Sequence, residues 1–91
     1  MNPESERLAA EFVTDHFLAG WRFQWVTYPK PRGGEEAEAF EVAAPGAGPM
    51  PYDFTRLGDL IRAFLAERGV AATEQRVFEV VVGVWNDPRC Q

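Results

Sequence analysis

The sequence predicts an α+β fold: a two-layer sandwich in the order α-β-β-α-β, with two helices on one face of a three-stranded mixed sheet. Three observations lead there. Apolar residues recur with the helical period over 3–19 and again over 54–68. Apolar and polar residues alternate with period two over 21–28, 37–43 and 75–85. Clusters of proline and glycine separate the segments at 29–34 and 44–51.

Asn2 is a good N-cap for the first helix, and Pro3 suits the first helical position, where a missing N–H leaves no bond unmade. Glu4 and Glu6 favour the positive end of the helix dipole, and Gly20 is a natural stop. Leu8, Ala9, Phe12, Val13, His16 and Phe17 fall on one side, with Glu4, Glu11 and Asp15 as a stripe along its edge.

Trp21, Phe23 and Trp25 share one face of the first strand, and Arg22, Gln24, Val26 and Tyr28 the other. Pro29 and Pro31 end it, since neither can donate to a ladder. A hairpin loop leads into a second strand at 37–43, with Phe40 and Val42 on one face and Ala39 and Glu41 on the other. Residues 44–51 read as a flexible connection.

The second helix is expected over 54–68, capped by Asp53 and closed by Gly69. Gly58, beside its apolar arc, suggests close packing against another backbone. The last strand is expected over 75–85, with Phe78, Val80, Val82 and Val84 facing the core. A right-handed β-α-β crossover then leaves strand order 2-1-3 or 1-2-3. The aromatic inner face of the first strand favours 2-1-3, with that strand at the centre. Residues 87–91 are expected to form a mobile tail.

The 91 residues suit one domain, 1–91, and fourteen acids against nine bases give a net charge of −5. That balance disfavours a phosphate-backbone binder, which needs a basic surface. The acidic, polar start and the lack of a long apolar run predict a cytoplasmic chain without a membrane segment. A single cysteine, Cys90, and a single histidine, His16, give no set of metal ligands, no cofactor motif and no catalytic triad. His16 is read as a core residue with a hydrogen-bond partner, and Cys90 as an exposed thiol.

The sheet face left uncovered by helices is the predicted site. Val26, Tyr28, Val77, Val81 and Trp85 interleave there with Arg22, Glu41 and Glu79, a mixture suited to recognising protein, with Arg22, Val26, Tyr28, Glu79, Val81 and Trp85 as the contact residues. With the acidic stripe Glu4, Glu11 and Asp15, this predicts a small acidic, non-enzymatic interaction or regulatory domain. It would act as an inhibitor or accessory subunit on a basic or nucleic-acid-handling protein, or assemble as a homodimer. Charged substitutions at Tyr28, Val81 or Trp85 are expected to weaken association without unfolding. An alternative is RNA or a small anionic ligand held at Lys30 and Arg32 in the 29–34 loop, beside Arg22 and Tyr28.

Overall fold

A computed structural model describes residues 2–29, 33–48 and 54–91, with only the backbone described at Tyr28, Phe54 and Thr55. Among these residues are three α-helices and one β-hairpin: α1 (Pro3–Leu18), β1 (Arg22–Tyr28), β2 (Ala37–Ala43), α2 (Phe54–Glu67) and α3 (Glu74–Trp85). A single 3₁₀ turn, Pro88–Cys90, follows. None of the helices is long and apolar enough to cross a membrane.

The first helix starts as its sequence demands. The Asn2 side chain accepts from the Glu4 N–H at 2.8 Å, and Pro3 sits at the first helical position. At the other end Gly20 takes φ +98°, and the Trp21 N–H reaches back to the His16 carbonyl at 2.8 Å. A left-handed residue there lets the chain reverse, which glycine does without steric penalty. Gly69 closes α2 in the same way at φ +68°, with the Val70 N–H on the Leu65 carbonyl.

The hairpin pairs antiparallel in one register, from Arg22 opposite Ala43 to Tyr28 opposite Ala37. Phe23, Trp25, Phe40 and Val42 thereby share the inner face and join the hydrophobic core. Aromatic rings connect the layers: Phe12 stands 5.4 Å from Phe23 and 5.5 Å from Phe64, and Phe23 lies parallel to Phe40 at 6.4 Å. After β2 the chain turns, with the Ala47 N–H on the Ala44 carbonyl at 3.0 Å. The rest of the predicted connection, from 49, and the predicted cap Asp53 lie outside the described residues.

The predicted third strand is a helix, so the three-stranded sheet and the choice between strand orders 2-1-3 and 1-2-3 both fall away. The sheet has two strands and accompanies three helices, not two. The physical reason lies in the valines. Val77, Val80, Val81 and Val84 satisfy helical spacing as well as Phe78, Val80, Val82 and Val84 satisfy alternation, and their β-branching biased the reading towards a strand. The helical set is the one buried. Thr73 accepts from the Arg76 N–H at 3.1 Å, the N-cap bond that opens the helix.

The mobile tail expected at 87–91 is also corrected. Asp87 accepts from the Arg89 backbone N–H at 2.9 Å and takes its guanidinium on both carboxylate oxygens, at 3.0 and 2.8 Å. These bonds hold the Asp87 carboxyl below its ordinary value, the side-chain bond to Arg89 contributing most. Arg89 also donates to the Thr14 hydroxyl and the Ala10 carbonyl of α1. The turn so fixed presses Cys90 into the core, where it is fully buried.

Candidate functional site in the groove between α2 and α3

The surface predicted as one sheet face is divided in the structure. Arg22 and Val26 lie on the outer face of the hairpin, opposite Ala43 and Ala39, and Tyr28 stands at the end of the same register. Arg22 bends back to α1. Its guanidinium donates to the Trp21 carbonyl at 2.7 Å and the Phe17 carbonyl at 3.4 Å, and lies 5.6 Å from the Phe17 ring centre. A shallow hollow of about 270 Å³ lies beside it, lined by Gln24, Glu41, Ala43 and Ala47.

Glu79, Val81 and Trp85 stand on α3, because that segment is helical. Glu79 turns towards α1 and accepts the Ser5 hydroxyl at 2.7 Å. Ser5, itself fully buried, accepts in turn from Arg76 at 2.9 Å, and Arg76 reaches Glu4 at 3.3 Å. The acidic stripe is matched from within the chain as well: Glu11 pairs with Arg7 and Arg68, and Asp15 with Arg68 at 2.7 Å. Its charge is therefore offset by the molecule's own arginines. Lys30 and Arg32 lie outside the described residues, as does the side chain of Tyr28.

Val81 and Trp85 belong to a different surface, an open groove of about 680 Å³ between α2 and α3. Gly58 and Arg62 line it from α2, and Glu74, Val77, Phe78, Val81 and Trp85 from α3. Val77 and Val81 form a floor continuous with the core, so the expectation that a charge at Val81 would spare the fold does not hold. Phe78, expected in the core, stands at the groove with 64% of its surface exposed. Trp85 closes one end, packed edge-on against Trp25 at 5.8 Å, while the Trp25 indole N–H donates to the Trp85 carbonyl at 2.7 Å.

Gly58 shapes the α2 side. A Cβ there would lie 3.1 Å from Nη1 of Arg62, so the glycine makes room for a guanidinium and not, as expected, for another backbone. Arg62 pairs with Asp59 at 3.4 Å, both well exposed. The groove thus offers an apolar floor, an aromatic knob, one cation and one anion. An apolar floor edged by an aromatic ring and charges of both signs is the composition of surfaces suited to contact with protein.

His16 is half-buried away from the groove. Its Nδ1 lies 2.9 Å from the Phe12 carbonyl, which can only accept, so Nδ1 carries the proton. The rings of Phe12, Trp21, Phe23 and Phe64 surround it at 4.0 to 6.5 Å. Among the described residues no group of three or more His, Cys, Asp or Glu side chains is placed to hold a metal ion.

Sequence reasoning groups Val77 with Val81 and Trp85 but misses Phe78, Gly58, Arg62 and Glu74 as groove residues. The signal was present: on a helical wheel over 74–85, residues 74, 77, 78, 81 and 85 form one stripe. The chain matches no protein-family model, no curated protein and no solved structure.

Proposed function

We propose that this chain is a small protein-interaction module that binds an apolar element of a protein in the groove between α2 and α3. The polarity of α3 supports this reading. A surface helix ordinarily turns its charges to water and its aromatic residues inward. Here Arg76 and Glu79 turn towards α1 and bond to Ser5, while Phe78 stands in solvent beside an apolar floor. Burying the rest of Phe78 contributes about 2 kcal/mol to an association. Arg62 and Glu74 line the groove with one charge of each sign, and Arg62 is paired with Asp59, so the groove does not call for a strongly acidic partner.

Phe78→Glu tests the reading. The unmodified chain is expected to bind an apolar fluorescent dye, and the variant to lose most of that binding. Its urea-unfolding free energy should stay within about 0.5 kcal/mol of the parent, as for an exposed position. A variant that unfolds, or that binds dye as before, overturns the assignment.

A further inference from the structure

We infer that the occupant of the groove is a second copy of this chain, joined to the first about a two-fold axis; this rests on the binding role proposed for the groove. In a two-fold contact the same patch meets itself, so it must carry both halves of every interaction. The groove does so. Phe78 is a knob, 64% exposed, beside a hollow floored by Val77 and Val81 that can receive the knob of another copy. Arg62 and Glu74 line the same patch with opposite charge, so a copy turned by 180° can set Arg62 against Glu74 in both directions, Arg62 exchanging or sharing its long, exposed 3.4 Å pair with Asp59. Away from the groove, two chains of net charge −5 repel each other. A patch that carries both signs adds less to that repulsion than an acidic one would.

The size of the face sets the strength. The 12 residues of α3 span about 18 Å, and two adjacent helices are about 20 Å across. A patch of these dimensions falls at or below the roughly 800 Å² that each partner contributes to a standard interface. The dimer should therefore be reversible and dependent on concentration.

The test uses the full chain in sedimentation velocity over a rising concentration series, with reductant present so that chains that open are not linked through Cys90. The parent is expected to pass from monomer to dimer. Phe78→Glu should weaken association at least about tenfold, and so should Arg62→Glu and Glu74→Arg, each of which sets like charges against each other twice. Mixing Arg62→Glu with Glu74→Arg is the decisive arm. In the mixed pair the two introduced charges, opposite in sign, meet each other and the native Arg62 meets the native Glu74, so a heterodimer should form from two chains that are each monomeric alone. Recovery on mixing supports the inference, because a contact within one chain cannot be restored by adding another.

A parent that stays monomeric throughout overturns it. So does a dimer indifferent to Phe78→Glu, or a mixture that does not recover. In the first case the dye experiment separates the two readings: dye binding lost in Phe78→Glu leaves the groove as the site of a different protein, whereas dye binding unchanged removes the site itself.

Discussion

Cys90 is the residue whose role changed most between sequence and structure. A thiol next to the end of the chain reads as exposed, yet here it is fully buried beneath the turn that Asp87 and Arg89 hold. Burial, with the nearby Asp87 charge, pushes its pKa up from 9.0 to about 12. A thiol held protonated in the fold stabilises it fully below pH 9. That contribution is lost as pH rises from about 9 towards 12, because the unfolded chain releases the proton first. The native protein should therefore react with iodoacetamide at pH 8 only as fast as it opens, and adding urea to the unfolding midpoint should accelerate labelling sharply. Cys90→Ala should flatten the loss of stability above pH 9. Labelling equally fast in native and unfolded protein would place the thiol at the surface. Ser5 shows the same logic without titration. A small buried hydroxyl receives Arg76, which also reaches Glu4, and donates to Glu79, so the polar groups between α1 and α3 are hydrogen-bonded.

At the scale of elements, α3 decides the architecture, and Thr73 decides α3. Thr73→Ala should cost about 1 kcal/mol in urea unfolding through loss of its bond to the Arg76 N–H. A strand at 75–85 would make no use of that hydroxyl, so an unchanged stability would speak against the helix. The same cap explains what could be read in advance. The first helix and both hairpin strands were legible because local chemistry and periodicity agree there: Asn2 and Pro3 open α1, Gly20 closes it, and the alternation of β1 matches its register with β2. In 74–85 the two periods overlap in a run of valines, and β-branching favoured the wrong one. The candidate site inherited that error. Alternation puts Val81 and Trp85 on one face of a strand and Phe78 on the other, whereas on α3 all three line the same groove. The acidic stripe was read as a face presented to others because nothing local reveals that Arg68 and Arg76, more than 50 residues away in the chain, fold over it.

At the scale of the whole molecule, the described core is organised around contacts between the first helix and the last. Ser5 meets Glu79 across 74 residues of chain, and Arg89 reaches Thr14 across 75 and Ala10 across 79. Early residues of α1 meet the early part of α3, and later ones meet the turn after it, so the two helices run parallel. Adjacent helices joined by a short loop run antiparallel; parallel packing needs an intervening length of chain, supplied here by the hairpin and α2. Helical proteins are usually fast folders because their contacts are local, whereas closing a long loop before any contact forms slows the search. Refolding from urea, followed by tryptophan fluorescence in a stopped-flow instrument, should accordingly fall in the range of about milliseconds to seconds typical of sheet-rich domains, rather than the microseconds of simple helical bundles. A microsecond phase carrying the full amplitude would contradict this. Pairing the first helix with the last thus has a temporal consequence: Phe23 of the adjacent hairpin can shelter Phe12 and Phe17 early, but the part of α1 that meets α3 stays uncovered until the end of the chain has come round to it.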